Sequence, residues 1–115
     1  MIQSPFNCHF ELTIELIGGK WKGLILWYLH DKKVLRNGEM LRLIPKITQK
    51  MLTQQLRDLE NNGLIRRVIY EQVPPKVEYS LTSHGEALCP ILDMMHSWGI
   101  DYTRDKNIVL ACSNH

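Results

Sequence analysis

The sequence predicts a mainly α-helical chain with one small β-hairpin, an α+β arrangement, and three observations carry that prediction. Apolar residues recur at helical spacing through most of the chain. Strict alternation appears clearly only at Val77, Tyr79 and Leu81, interleaved with Glu78 and Ser80. The 115 residues, 44% hydrophobic and 23% charged, suffice for one domain around one core and do not resemble a disordered chain.

Glu11 to Ile17 carries Leu12, Leu16 and Ile17 at helical spacing, and Gly18-Gly19 stops that helix. A second helix is expected from Lys20, with Trp21, Leu24, Ile25 and Tyr28 on one stripe, ending at His30-Asp31 before the polar Lys32-Lys33 turn. Val34 to Arg36 reads as a short strand. Asn37 is placed to cap a third helix carrying Met40, Leu43 and Ile44, and Pro45-Lys46 breaks it. Thr48 caps a fourth helix, 48–61, ended by Asn62-Gly63. A hairpin over 64–81 follows, its first strand (Leu64 to Tyr70) read from β-rich content and its second running from Lys76 to Leu81. Pro74-Pro75 stiffens the connection and cannot sit inside a ladder. From Thr82 a last helical region, about 82–104, places Leu88, Ile91, Leu92, Met95, Trp98 and Tyr102 near one stripe. Pro90 inside it requires a kink or a fresh start. This order is that of a winged helix-turn-helix with helical extensions at both ends.

The formal charge of +2 does not mark a nucleic-acid binder, but its distribution is uneven. From Arg36 to Lys76 there are eight basic residues (Arg36, Arg42, Lys46, Lys50, Arg57, Arg66, Arg67, Lys76) and four acidic ones (Glu39, Asp58, Glu60, Glu71), leaving that segment near +4 and the rest near −2. On the wheel of the 48–61 helix, Leu52, Leu56 and Leu59 form the buried side. Opposite lie Lys50, Gln54 and Arg57, with Thr53 and Met51 on the flanks and Thr48 and Gln49 at the N-terminal end. Arg or Lys donates to guanine O6/N7 and Gln pairs with adenine, while a helix N-terminus suits phosphate. Arg66, Arg67 and Lys76 on the hairpin add positive charge beside it, whereas Asp58 must point away. The plain alternative is a solvated helix face.

Other classes are weakly supported. Met1 to Phe10 shows no basic cluster leading into an apolar run, and the apolar stretches are too short to span a bilayer, so a cytoplasmic location without membrane contact is expected. Cys8, Cys89 and Cys112 show no CxxC spacing, and neither metal nor cofactor is expected. The histidines and carboxylates have no catalytic spacing, so the chain does not read as an enzyme. A winged helix binding a protein or RNA partner remains the rival function.

Three stretches resemble the HxlR family of regulators. Gly18-Gly19-Lys20-Trp21-Lys22 with Leu24-Ile25-Leu26 is similar to its first helix-turn signature, and Gln49-Lys50-Met51-Leu52-Thr53-Gln54-Gln55-Leu56-Arg57 with Leu59-Glu60 and Gly63-Leu64 to its recognition helix. Val73-Pro74-Pro75-Lys76-Val77-Glu78-Tyr79-Ser80-Leu81-Thr82 resembles its wing and wing exit, and the likeness runs from Cys8 to Gly99. Two positions depart from the pattern: His9 stands where the family usually has Pro, and Asn37 where it often has an aromatic. The resemblance implies a MarR-like homodimeric repressor on a near-palindromic operator, with dimer contacts from the first and last helices, here Leu12, Leu16 and the Leu88–Tyr102 stripe. Some members respond to electrophiles or oxidants through the cysteine matching Cys8. That implies a sensor at Cys8, beside His9 at a helix start, with Cys112 or Cys89 of the other subunit as pairing partners. An ordinary free thiol is the alternative.

Overall fold

The computed structural model describes residues 4–111. The chain forms α1 (His9–Ile17), α2 (Lys22–Lys32), α3 (Asn37–Leu43), α4 (Gln49–Asn61), β1 (Ile65–Tyr70), β2 (Lys76–Leu81), α5 (Ser83–Ala87) and α6 (Cys89–Lys106). Ile25, Leu26 and Leu29 of α2 are completely buried among Met40, Ile44, Leu52, Leu59 and Ile65, so α2 is the central support for α3, α4 and the base of the hairpin.

Local chemistry sets the boundaries. The Thr48 hydroxyl accepts from the Met51 amide at 3.1 Å and starts α4. Gly63, at φ 73°, supplies the left-handed residue that ends it and returns the chain as β1. β1 and β2 pair antiparallel from Ile65↔Leu81 at the base to Tyr70↔Lys76 at the tip. Only Ile65 of β1 is buried, because the hairpin projects from the body; this is why its sequence alternates poorly. Val73–Pro74 at the tip is cis.

Four expectations need correction. The α2 helix begins at Lys22 and continues through Lys32, ending on Lys33 at φ 73°. The expected Val34–Arg36 strand is a single bridge, Leu35 to Tyr79, because Arg36 already begins α3. Arg36, not Asn37, is the N-cap: its backbone is extended and its amide donates to Glu39 Oε1 at 2.8 Å. At Pro90 the expected fresh start is what occurs: the last helical region is two helices, with Thr82 capping α5 and Pro90 in the first turn of α6, where its missing amide costs no helical bond. The α6 helix runs to Lys106 and ends on left-handed Asn107. Beyond it Ile108, Val109 and Leu110 are exposed.

The radius of gyration is 15.7 Å, against roughly 13 Å for a compact domain of about 100 residues. The projecting hairpin and the 18-residue α6 account for the excess. The α6 helix is anchored by Leu92, which is buried, and by Leu88, packed against the core. His96 of α6 stacks on Trp27 of α2 at 4.7 Å between ring centroids, and the same indole meets His30 edge-on at 5.7 Å.

Candidate nucleic-acid interface

The α4 helix turns Leu52, Leu56 and Leu59 inward, which forces Lys50, Gln54 and Arg57 outward, and all three are exposed. Among the described residues neither Lys50 nor Arg57 has an ion-pair partner, so both charges are available to an incoming phosphate or base edge. Two of the three α4 glutamines are held on their own helix: Gln49 Nε2 donates to Thr53 Oγ1 at 3.0 Å and Gln54 Nε2 to Asp58 Oδ1 at 3.1 Å. Asp58 lies 3.8 Å from Lys22 Nζ, which offsets the one negative charge nearest this face. Thr48 uses its oxygen as a cap but keeps its O–H proton for a phosphate.

The turn before α4 adds a cation that sequence reading left out of the site. Lys46 is exposed and holds φ 69° between α3 and α4. It belongs to the basic segment between Arg36 and Lys76, but no spacing rule singles it out. Arg36 is exposed at the start of α3.

On the hairpin the three predicted cations separate. Lys76 forms the last ladder pair, next to the tip, with its ammonium 4.8 Å from the Tyr70 ring centroid and 3.6 Å from Glu78. Glu78 also pushes the Tyr70 phenol upward, first by accepting its hydrogen bond and then by its charge. Arg67 lies three residues back, about 10 Å along the strand, and pairs with Glu60 of α4 at 3.5 Å. Its neighbour Arg66 necessarily points to the other face, where it lines a cleft with His30 and Cys89. The structure therefore groups Lys50, Gln54 and Arg57, puts Lys76 at the wing tip, and turns Arg66 away from Arg67. Val73, 99% exposed at that tip, was not singled out from sequence.

The terminal helices show a second feature. Ile91, Met95, Trp98 and Tyr102 of α6 are exposed, with Trp98 and Tyr102 stacked at 5.0 Å. Met94 joins them. On α1 the exposed apolar pair is Phe10 and Ile14, whereas Leu12 and Leu16 are partly buried. Phe10 and Ile14 are spaced i, i+4, a signal that Leu12 and Leu16 carry equally; only packing against α2 separates the pairs. Leu88 and Leu92 serve the chain's own core.

Cys8 is exposed and caps α1, its sulfur accepting from the Glu11 amide at 3.5 Å. Cys89 is half-buried, and burial pushes its thiol pKa upward. Cys112 lies outside the described residues. Among the described residues no cluster of His, Cys, Asp or Glu is arranged to hold a metal ion, and no helix is long and apolar enough to cross a membrane.

Comparison with known proteins gives a consistent result. The HxlR-like helix-turn-helix family profile matches residues 16–107. A Bacillus subtilis (strain 168) protein, the uncharacterized HTH-type transcriptional regulator YtcD, is 54% identical over 103 residues, covering 89% of this chain and 80% of that protein. The solved structure of the redox regulator HypR in its oxidized form superposes with a TM-score of 0.78 at 50% identity, covering 82% of this chain and 96% of the other. A MarR-family regulator from Porphyromonas gingivalis W83 superposes at 0.75 with 37% identity, covering 87% of this chain and 97% of the other.

Proposed function

Because this chain belongs to the HxlR-like helix-turn-helix family of transcriptional regulators, not enzymes, we propose that it is a sequence-specific repressor binding duplex DNA as a homodimer. The α4 helix enters the major groove and the hairpin tip follows the adjacent backbone. The observation that carries this is the α4 face itself: two unpaired cations and a glutamine, all exposed, opposite three buried leucines. Lys50, Gln54 and Arg57 read bases or phosphates; Thr48, Gln49, Thr53, Lys46 and Arg36 flank them; Lys76 serves the wing. Arg67 reaches DNA only by leaving Glu60, and Arg66 is not part of this surface.

The second subunit meets the apolar faces of α1 and α6. Trp98, Tyr102, Met95, Met94 and Ile91, with Phe10 and Ile14, are all exposed, and large apolar side chains gathered on a surface mark an association site. A two-fold pair of reading heads calls for a near-palindromic operator with half-sites about 34 Å apart, one turn of DNA. The site of action is the cytoplasm, and no cofactor enters the scheme.

Thiol response through Cys8 belongs to the same proposal: Cys8 is exposed at the start of α1, on the proposed dimer face, and the solved relative HypR is a redox regulator. A small electrophile or oxidant is the effector. Cys8→Ser should abolish release from DNA by diamide; unchanged release removes Cys8 from the mechanism.

The test is fluorescence anisotropy on the duplex upstream of the protein's own coding region against unrelated duplex, at two salt concentrations, with the Gln54→Ala/Arg57→Ala variant alongside. Tight, salt-dependent preference for the upstream duplex, lost in the variant, is the expected result. Equal, variant-insensitive binding to both duplexes would move the function to a protein or RNA partner.

A further inference from the structure

Gln54 lies on the exposed face of α4, and its side-chain amide is already engaged. Its Nε2 donates to Asp58 Oδ1 at 3.1 Å, about one helical turn further on. The other carboxylate oxygen, Asp58 Oδ2, faces Lys22 Nζ of α2 at 3.8 Å, and that lysine side chain is only 17% exposed. We infer that Asp58 is a positioning residue for base reading: it fixes the Gln54 amide in the orientation that matches adenine and rejects guanine. This rests on the reading of α4 as the groove-facing helix given above.

A glutamine amide carries an acceptor at one end and two donors at the other, and a half-turn exchanges the ends. Left free, it can meet either a donating or an accepting base edge. An ionised carboxylate accepts only. Against Asp58 the amide must therefore turn its nitrogen inward, because the opposite half-turn sets Gln54 Oε1 against a negative oxygen. What remains for the groove is Oε1 and the second N–H. One acceptor beside one donor complements adenine, whose N6 donates and whose N7 accepts. Guanine presents two acceptors, N7 and O6, so Gln54 Oε1 would meet O6 oxygen to oxygen. Cytosine N4 and thymine O4 each offer one bond in place of two.

An i, i+4 Gln–Asp bond is also an ordinary way to steady a helix. Two observations set this one apart. The Gln49 amide rests on Thr53 Oγ1 at 3.0 Å, and a hydroxyl both donates and accepts, so Gln49 stays free to turn over. Asp58 instead is tied across to a second helix by Lys22, while Lys50 and Arg57 of its own helix leave it alone. A negative charge beside a surface that meets phosphate lowers affinity for every sequence. A fixed amide is what that charge provides in return.

The experiment is selection from duplexes randomised across both half-sites, using the parent, Gln54→Ala, Asp58→Asn and Asp58→Glu. The position whose preference Gln54→Ala loses identifies the base that Gln54 reads. There the parent should favour adenine over guanine by at least about tenfold, and Asp58→Asn should bring the two within about threefold. The asparagine amide can meet Gln54 with either end, so the lock is released. Asp58→Glu restores an acceptor-only partner and should keep the parent's preference. All other positions should be unchanged in Asp58→Asn; a merely structural or charge effect would alter every position alike. Without DNA, nitrogen–proton NMR spectra of the parent should show the Gln54 side-chain amide shifting as acid protonates Asp58.

An adenine preference that survives in Asp58→Asn, relaxation spread equally over all positions, or a base other than adenine at the Gln54 position would overturn the inference and leave the repressor reading standing. So would a Gln54→Ala profile identical to the parent's. A Gln54 amide indifferent to Asp58 protonation would overturn it without reference to DNA. Failure of the parent to select any sequence would remove the repressor reading, and this inference with it.

Discussion

Replacing Gly85 with alanine should destabilise the protein, against the ordinary rule for helices. Gly85 is buried in α5, and a Cβ placed there would lie 2.1 Å from the Leu64 carbonyl oxygen and 3.2 Å from Leu81 Cδ2. A carbon and a carbonyl oxygen keep about 3.3 Å apart even in their closest favourable contacts, so α5 must withdraw by about 1 Å. That movement strains the junction made by Thr82, whose hydroxyl donates to Gly63 O at 2.5 Å and accepts from the Gly85 amide at 3.2 Å. Overpacking costs about 1–3 kcal/mol, and one weakened hydrogen bond about 1 kcal/mol more, for a loss of about 2–4 kcal/mol. The melting temperature should fall by roughly 8–16 °C. The control is Gly38→Ala in α3, where the added Cβ meets only Arg42 Nη1 at 3.8 Å and should gain up to about 1 kcal/mol from helix propensity. Thermal melts by circular dichroism at one fixed protein concentration compare the two. A Gly85→Ala protein melting at or above the parent would refute the close approach of α5 to Leu64.

Trp98→Asp, placed among exposed Met94, Met95 and Tyr102, should convert the proposed dimer to a monomer in sedimentation equilibrium while leaving the helical circular-dichroism signal intact; a persistent dimer would clear α6 of that role. Thr48→Ala removes the α4 cap and should cost about 1 kcal/mol in urea unfolding, with no change of m-value. Burial raises the Cys89 thiol and the Tyr79 phenol, so the folded chain holds both protons longer than the unfolded one. The resulting stability is full at neutral pH and is lost as pH rises through the folded pKa values; melting temperature should therefore decline above about pH 9, and less steeply in Cys89→Ala.

Much of this architecture is legible in the sequence where one element alone decides it. The α4 helix is the clearest case: Leu52, Leu56 and Leu59 set its inner face, Thr48 and Gly63 set its ends, and the exposed Lys50-Gln54-Arg57 face follows by geometry. The wing tip is similarly marked by Pro74-Pro75. Legibility fails where two elements compete. Helical spacing alone cannot tell Leu12 and Leu16 from Phe10 and Ile14, because packing on α2 decides which pair turns inward. Leu92 and Ile91 sit on one broad stripe, yet one is core and the other exposed. Adjacent arginines 66 and 67 look like a single basic patch until the strand's alternation sends one toward Glu60 and the other into the cleft. The cleft itself has no sequence signature, since its walls come from residues near 30, 66, 80 and 88, joined only by the fold.

The packing of Trp27 has an optical consequence. Its indole touches one imidazole from its own helix and another from α6, and a protonated imidazole beside an excited indole quenches its emission. The protein thus carries, without any added label, a fluorophore at the joint between its helix-turn-helix body and its long helix. With Trp21 and Trp98 replaced by phenylalanine, brightness at fixed pH follows the ring separation at that joint, and a stopped-flow trace of it would time any rocking of the body on α6.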